Sequence, residues 1–304
     1  MQNIQTVSEN TIYVGASDRR LAKFENLFPI PRGVSYNAYV ILDEKTALLD
    51  TADASVGAQF LENVAAALDG RKLDYLIVDH MEPDHAAMIE AVLVRWPDLR
   101  LVVNAKTLPM LKMYSPTDSA AIDDALVVKE GDTLDLGKHK LTFVMAPMVH
   151  WPEVMMTFDT TTGTLFSADA FGTFGALEGA LFADEVDFAG KWLDDARRYY
   201  TNIVGKYGVQ VQALLKKAAS LDIEMICPLH GPIWREDLGW LLDKYQKWSS
   251  YTPEENTVAI FYGSMYGNTA EAADLLAGKL TAAGVKGVTV RDVSKTDVSY
   301  LISD

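Results

Sequence analysis

The sequence predicts an α/β fold in which helices cover the outer faces of β-sheets, followed by the opening of a doubly wound α/β domain. Three observations predict it. Short apolar runs alternate with amphipathic stretches, several of those runs end in metal-ligand types, and a strand–loop–helix pattern follows a polar, proline-containing stretch at 249–256. With 304 residues, 49% of them apolar, the chain can form one large core or two domains.

The first hundred residues alternate between strand and helix patterns. The segment 57–68 has helical periodicity and is followed by Gly70, which ends helices readily. A polar turn at 43–46 between two apolar runs predicts a hairpin. The predicted elements are strands at 12–15, 39–42 and 47–50, a helix at 57–68, a strand at 75–78, a helix at 86–96 and a strand at 101–103.

The next part of the chain is mostly β before it becomes helical. Strands are predicted at 125–128, 141–145, 155–159, 165–167 and 225–229, and helices at 194–221 and 237–248. The segment 171–190 is rich in Gly, Phe and Ala and predicts a loop over a site. The aromatic residues within 194–221 indicate core packing rather than cofactor binding.

A second α/β unit begins after the polar stretch. The pattern is a strand at 258–262, a Gly- and hydroxyl-rich loop and a helix at 270–280, which opens a doubly wound domain. Loop amides at a helix N-terminus bind phosphate, although tight βα turns use the same residue types. Residues 255–304 number 50, enough for about two strands and one or two helices, so we expect an incomplete domain. The candidate phosphate contacts are Ser264, Met265, Tyr266, Gly267, Asn268 and Thr269.

The six residues 80–85, which follow the strand at 75–78, include four potential metal ligands in the pattern H-x-E-x-D-H. On a turn at the end of that strand, His80 and Glu82 can face one metal while Asp84 and His85 face a second. Pro83 stiffens the turn. The alternative is a polar loop with no ligand, and the presence of four potential ligands in six positions argues against it.

Three more residues extend the candidate metal site. His150 and His230 each follow a strand-like run, and Asp169 follows the predicted hairpin, although an Asp there can also be a helix N-cap. The remaining histidine, His139, lies between two lysines and is expected at a solvated hairpin tip.

Composition excludes several classes of function. A net charge of −15 repels nucleic acid and disfavours binding to anionic membranes. No uncharged apolar run reaches the ~18 residues of a membrane span, and the first residues lack a signal-peptide pattern. Cys227 is the only cysteine, which excludes an intrachain disulfide and a Cys-cage metal site. These features predict a cytoplasmic protein.

The order H-x-E-x-D-H, then His150, Asp169 and His230, resembles the metallo-β-lactamase superfamily and, within it, the flavodiiron proteins, or A-type flavoproteins. The strand–loop–helix that starts at 258 resembles the start of their second domain. The resemblance implies a metallo-β-lactamase-like αββα sandwich over 1–250, a linker at 251–256 and a truncated flavodoxin-like FMN-binding domain over 257–304.

The resemblance also implies a ligand assignment. One iron would take His80, Glu82 and His150, the other would take Asp84, His85 and His230, and Asp169 would bridge them. Hydrolases of the superfamily usually have H-x-H-x-D-H and bind zinc, so Glu82 stands where their second His would be. Hard anionic oxygens suit iron and manganese better than zinc and favour the ferric state, which independently indicates redox chemistry.

The implied activity is reduction of dioxygen to water, or of nitric oxide to nitrous oxide, at two non-haem irons with FMN as electron relay. A rubredoxin-like external donor and a head-to-tail homodimer are implied as partners. A zinc-dependent hydrolase of the same fold, for instance of thioesters, is the alternative enzyme. A fragment inactive with natural donors is a third possibility, because an incomplete flavodoxin-like domain would bind FMN weakly.

Overall fold

The structure, a computed structural model, describes residues 2–114 and 120–303. Its strands are β1 (Gln5–Ser8), β2 (Thr11–Tyr13), β3 (Ala16–Asp18), β4 (Lys23–Phe24), β5 (Phe28–Pro29), β6 (Val34–Tyr36), β7 (Tyr39–Leu42), β8 (Thr46–Leu49), β9 (Tyr75–Ile77), β10 (Arg100–Asn104), β11 (Leu126–Val128), β12 (Thr133–Asp135), β13 (Lys140–Met145), β14 (Met155–Asp159), β15 (Thr164–Phe166), β16 (Met225–Cys227), β17 (Val258–Tyr262) and β18 (Val288–Asp292).

The α-helices connect and cover these strands. They are α1 (Gly57–Leu68), α2 (Pro83–Ala86), α3 (Ile89–Arg95), α4 (Thr107–Tyr114), α5 (Ala120–Asp123), α6 (Phe188–Lys191), α7 (Leu193–Tyr199), α8 (Gly208–Ala218), α9 (Leu238–Ser249), α10 (Asn268–Ala282) and α11 (Val298–Ser303). Within the described ranges, no helix is both long and apolar enough to cross a membrane.

Two larger sheets form the frame of the first part of the chain. One has the strand order β1-β2-β7-β8-β9-β10-β11, with β8 to β11 parallel, and the other has the order β12-β13-β14-β15-β16. The parallel strands are short and apolar, as expected for strands covered on both faces. Side chains from both sheets share one buried core, so the predicted mixed α/β fold is confirmed in its class.

Helix α1 shows how closely periodicity can predict an element. It spans the predicted 57–68 and buries Phe60 and Val64. It ends where Asp69 and Gly70 adopt left-handed backbone, with φ of 46° and 80°. The glycine accepts this conformation without steric cost, which ends the helix.

The predicted helix over 194–221 is wrong as a single element. The structure divides it into α7, a π-helical turn at Tyr200–Val204, a 3₁₀ turn at Gly205–Tyr207 and α8. Two glycines within four positions, Gly205 and Gly208, weaken the helix at this point. Gly208 also packs closely on the end of α9, since a Cβ there would lie 2.5 Å from the Ser249 carbonyl oxygen.

The segment after β9 also differs from the prediction of a turn followed by one helix at 86–96. The structure has two short helices, α2 and α3, so Asp84 and His85 lie on a helical turn. Pro83 occupies the first position of α2, where its fixed φ suits a helix and its missing N–H costs nothing.

The expectation that His139 lies at a solvated hairpin tip is wrong. Its side chain is buried, and its Nδ1 lies 2.7 Å from the Asp159 carboxylate. Its Nε2 lies 3.2 Å from the Asn10 amide. The imidazole is paired from both sides, which explains why it is buried despite its lysine neighbours.

The last part of the described chain is a strand–helix–strand–helix unit. Strands β17 and β18 pair in parallel, and α10 connects them. The preceding polar segment is held by Glu254, whose carboxylate accepts hydrogen bonds from Arg197 at 2.6 and 3.0 Å and from Trp248 Nε1 at 3.0 Å. The segment around Glu254 is therefore anchored to helices α7 and α9.

Candidate metal centre

The seven predicted ligands come from segments that follow strands. His80 and Glu82 follow β9, and α2 adds Asp84 and His85. The others, His150, Asp169 and His230, follow β13, β15 and β16 respectively. The C-terminal ends of strands from both sheets thus lie close together. The structure brings all seven side chains together in two clusters.

The first cluster consists of His80, Glu82, His150 and Asp169, and all four are buried. Their potential ligand atoms lie within 4.8 Å of one another. Nε2 of His150 lies 2.9 Å from a carboxylate oxygen of Glu82 and 2.9 Å from one of Asp169. Nε2 of His80 lies 3.3 Å from the same Glu82 oxygen.

The second cluster consists of Asp84, His85 and His230, again all buried and with potential ligand atoms within 4.8 Å of one another. The Nε2 atoms of His85 and His230 face each other at 3.1 Å. An Asp84 oxygen lies 3.3 Å from each of these two nitrogens.

Asp169 lies between the two clusters, with one carboxylate oxygen toward each. Its Oδ2 lies 2.9 and 3.4 Å from the Nε2 atoms of His150 and His80. Its Oδ1 lies 3.2 and 3.5 Å from the Nε2 atoms of His85 and His230. This is the disposition that a carboxylate bridging two cations requires.

The side-chain atoms that meet in the two clusters are imidazole nitrogens and carboxylate oxygens, which are potential metal ligands. Nδ1 of His230 lies 2.7 Å from the Ser35 carbonyl oxygen, so this nitrogen carries the proton and Nε2 presents a lone pair to the cluster. Both oxygens of Asp84 and Oδ1 of Asp169 are buried without a hydrogen-bond partner among the described residues. Buried anionic oxygens and lone pairs that converge without donors are costly unless a cation joins them.

The same excess of negative charge perturbs the titration of the ligands. Burial alone would lower the pKa of His150, but hydrogen bonds with Asp169 and Glu82 raise it to about 9. Burial also opposes protonation of His80, yet the charge and hydrogen bond of Asp169 raise its pKa well above the usual value. Burial would raise the pKa of Asp169, whereas the surrounding histidines hold it well below its ordinary value. The site therefore attracts positive charge, and a metal would displace protons from it.

Sequence reasoning did not single out the residues that hold the ligand loop. Asp50 accepts hydrogen bonds from the backbone N–H groups of Asp79 at 2.9 Å and His80 at 3.2 Å. The Thr51 hydroxyl donates to the carbonyl oxygen of His85. The only signal in the sequence was the polar Asp50-Thr51 pair at the end of a strand.

Sequence reasoning also missed Glu153, which supports the first cluster from behind. Its Oε1 lies 2.8 Å from Nδ1 of His80 and accepts the Met81 backbone N–H at 2.9 Å. It lies three positions after His150, and that proximity in sequence was its one available signal. The Ser35 carbonyl oxygen, the corresponding acceptor for His230, has no side-chain signal at all.

Aromatic side chains pack against the histidines of both clusters. Trp151 meets the His80 ring edge-on with centroids 5.5 Å apart. Phe24 and Tyr199 approach His230 with ring centroids 5.3 and 5.5 Å away. On another side, burial and a hydrogen bond with Glu82 raise the pKa of Glu25, in the turn between β4 and β5, to about 8.

The candidate phosphate loop joins β17 to α10. Gly267 has a φ of 97° and immediately precedes the helix, and its N–H donates to the Ser264 hydroxyl at 3.0 Å. The following residues, Asn268 and Thr269, form the first turn of a 15-residue helix. Met265 and Tyr266 are 86% and 90% exposed. The loop therefore places backbone N–H groups at the start of a long helix, and Met265 and Tyr266 lie beside them at the surface.

The first part of the chain matches a known protein-family model. Residues 34–231 match the model described as ODP family beta lactamase. Over 303 residues the chain is 33% identical to the anaerobic nitric oxide reductase flavorubredoxin of Vibrio vulnificus, covering 98% of this chain and 60% of that protein. The chain spans 59–62% of the length of this and three further flavorubredoxins.

The chain superposes on solved structures over almost its whole length. The flavodiiron protein from Giardia intestinalis superposes with a TM-score of 0.92 at 26% identity, covering 100% of this chain and 73% of that one. The rubredoxin oxygen:oxidoreductase from Desulfovibrio gigas superposes with a TM-score of 0.91 at 31% identity, covering 99% of this chain and 74% of that one.

Proposed function

Because the chain belongs to the flavodiiron family, we propose that it is an oxidoreductase that reduces dioxygen to water, nitric oxide to nitrous oxide, or both. The seven clustered side chains would hold two non-haem irons. His80, Glu82 and His150 would ligate one, Asp84, His85 and His230 would ligate the other, and Asp169 would bridge them.

The observation that carries this proposal is the Glu82 carboxylate within the first cluster. It places a hard anionic oxygen 2.9 Å from Nε2 of His150, in a set that already contains Asp169. Together with Asp84 in the second cluster, three carboxylates serve the two metal positions. Such a donor set favours iron or manganese over zinc and stabilises the higher oxidation state.

The narrow exposure of the site supports a small substrate. Four of the seven ligands, His80, His85, Asp169 and His230, have no exposed surface. The other three, Glu82, Asp84 and His150, are only 5%, 8% and 7% exposed. A diatomic gas can reach such a site, whereas a thioester would need more open surface around the metals.

The chain's own residues have distinct tasks in this proposal. Glu153 and the Ser35 carbonyl oxygen would hold the Nδ1 protons of His80 and His230, so that the Nε2 atoms are the nitrogens that face the metals. When bound, the irons would supply electrons and Lewis acidity to the substrate, and FMN would supply electrons to the irons.

We propose that residues 1–250 form the metal-binding domain, 251–256 the linker and 257–304 an FMN-binding unit. The amides at the start of α10 and the Ser264 hydroxyl would contact the FMN phosphate. A rubredoxin-like donor and a head-to-tail homodimer complete the proposal, and the exposed Met265 and Tyr266 would suit contact with a second copy. The single, buried Cys227 supports a cytoplasmic location.

Exchange of Glu82 tests the function. Glu82→His removes one negative charge and restores the zinc-type pattern, so we expect iron content to fall, zinc content to rise and dioxygen or nitric oxide consumption by chemically reduced protein to stop. Metal analysis by mass spectrometry and an electrode assay measure these changes. Glu178→His, an exposed glutamate, is the matched control and should change neither. Unchanged iron content and rate in Glu82→His would refute the role of Glu82 as a ligand.

A further inference from the structure

Glu153 contacts a ligand of the first cluster rather than a metal position. Its side chain is buried, and Oε1 lies 2.8 Å from Nδ1 of His80. The same oxygen accepts the Met81 backbone N–H at 2.9 Å, and Asn104 donates to the Glu153 carbonyl oxygen. Because a carboxylate is an acceptor, Nδ1 of His80 keeps its proton, and Nε2, which faces the cluster, is the nitrogen that a cation would bind after displacing any proton there.

Among the described residues, no carboxylate hydrogen-bonds to Nδ1 of either histidine of the second cluster, although the buried Asp50 carboxylate interacts electrostatically with both His85 and His80. Nδ1 of His230 donates instead to the neutral Ser35 carbonyl oxygen at 2.7 Å. Nδ1 of His85 is buried and has no hydrogen-bond partner among the described residues. The inner ligands are otherwise similar, since each cluster has two histidines and one carboxylate of its own and shares Asp169.

A carboxylate behind an imidazole changes the ligand in two ways. The charge-assisted hydrogen bond fixes the tautomer and the orientation of the ring. It also makes the metal-facing nitrogen a stronger donor than one whose partner is a neutral carbonyl. In addition, Glu153 places a negative charge near the first cluster, and charges interact strongly in a buried site.

We propose that Glu153 is a positioning residue that makes the two metal positions inequivalent, so that a divalent cation binds more tightly in the first cluster than in the second. The inference rests on the two-metal part of the proposed function and not on its redox part. It predicts an order of filling: the first cation enters the first cluster.

Two substitutions separate geometry from charge. Glu153→Gln can keep an acceptor oxygen toward His80 and Met81 while it removes the charge. Glu153→Ala removes both. We expect Glu153→Ala to weaken the tighter binding step by about 10–100-fold and Glu153→Gln to weaken it less, while the weaker step stays unchanged. Partial retention of affinity by the Gln variant would identify orientation of His80 as part of the effect.

The experiment is an anaerobic titration of the metal-free full chain with Co²⁺ against a chromophoric chelator, which resolves two dissociation constants. Glu82→Ala should remove the tighter step and Asp84→Ala the weaker one, which assigns each step to its cluster. Asp159→Asn is the matched control, because it alters the other buried imidazole–carboxylate pair, with His139, away from the ligands. It should change neither step.

The outcomes separate this inference from the proposed function. Two steps with only the tighter one weakened by Glu153→Ala would support it. Equal weakening of both steps, no weakening, or loss of the weaker step in Glu82→Ala would overturn it and leave the diiron proposal standing. Fewer than two Co²⁺ ions bound by the unmodified chain would overturn both. If Glu153→Ala does not fold, Glu153→Gln is titrated instead: weakening of the tighter step alone would support the inference, and equal or no weakening would overturn it.

Discussion

Asp169→Asn perturbs a side chain that faces both of the clusters proposed to hold metals. In the structure its Oδ2 faces the first cluster and its Oδ1 the second, within 2.9–3.5 Å of the four histidine nitrogens. The asparagine keeps one acceptor oxygen but presents an NH₂ group to the other cluster. That group cannot ligate a cation, so at least one metal position loses a ligand and both lose negative charge.

The magnitude follows from the linkage between binding and folding. A cation present at a hundred times its dissociation constant stabilises the folded state by about 2.7 kcal/mol, so two cations contribute about 5 kcal/mol. At about 2 °C per kcal/mol for a protein of this size, the metal-free and metal-loaded chains should differ in Tm by about 10 °C. With one cation lost and the other weakened, Asp169→Asn should show a difference below about 5 °C.

Thermal unfolding with and without Mn²⁺, which avoids oxidation during the scan, measures this difference within each variant. Metal analysis of the same samples counts the ions bound. His139→Ala is the control: it leaves the Asp159 carboxylate buried without its imidazole and should cost about 2 kcal/mol. Its metal-induced Tm difference should match that of the unmodified chain. Two ions and a full Tm difference in Asp169→Asn would refute the bridging role.

Two further substitutions test how the fold supports the site. Gly231→Ala places a Cβ 2.1 Å from the Thr173 side chain at a backbone φ of 79°, so it should displace the adjacent His230. We expect the free energy of unfolding, measured with denaturant, to fall by about 2 kcal/mol and the metal content to fall as well. Wild-type values for both quantities would contradict this. Burial opposes ionisation of Glu254, but hydrogen bonds from Arg197 lower its pKa. The ionised carboxylate therefore stabilises the folded state above about pH 4.3, and this stabilisation is lost as the pH falls through the folded-state pKa. Glu254→Gln should therefore lower the free energy of unfolding by about 1 kcal/mol at pH 7 and by less at pH 3, as measured by unfolding at the two pH values. An equal loss at both pH values would indicate that Glu254 acts through packing instead.

The parts of the fold that the sequence predicts well are those governed by local periodicity. Helix α1 has its apolar residues on one face and a glycine after its end, and both signals are local. The convergence of the seven candidate ligands was also predictable, because potential ligands follow several strands and the sheets bring those strand ends together. The helix at 194–221 was not, because close packing of Gly208 on α9 depends on a segment about 40 residues away in sequence.

The supporting residues of the site depend on contacts that no local pattern records. Glu153 reaches His80 across 73 positions, and Ser35 reaches His230 across 195. The Ser35 acceptor is a backbone carbonyl oxygen, which every residue has. His139 shows the converse error: its charged neighbours indicate exposure, but its pairing with Asp159 allows burial.

The identity and number of the metals test the central claim most directly. The seven-residue site with Glu82 in its first cluster predicts two iron ions per chain. Protein from an iron-replete culture, purified anaerobically and measured by mass spectrometry, should contain about two irons per chain and only trace zinc, because the proposed ligand set has three carboxylates, which favour iron. Stoichiometric zinc with trace iron would contradict a flavodiiron function and indicate hydrolase chemistry in the same fold.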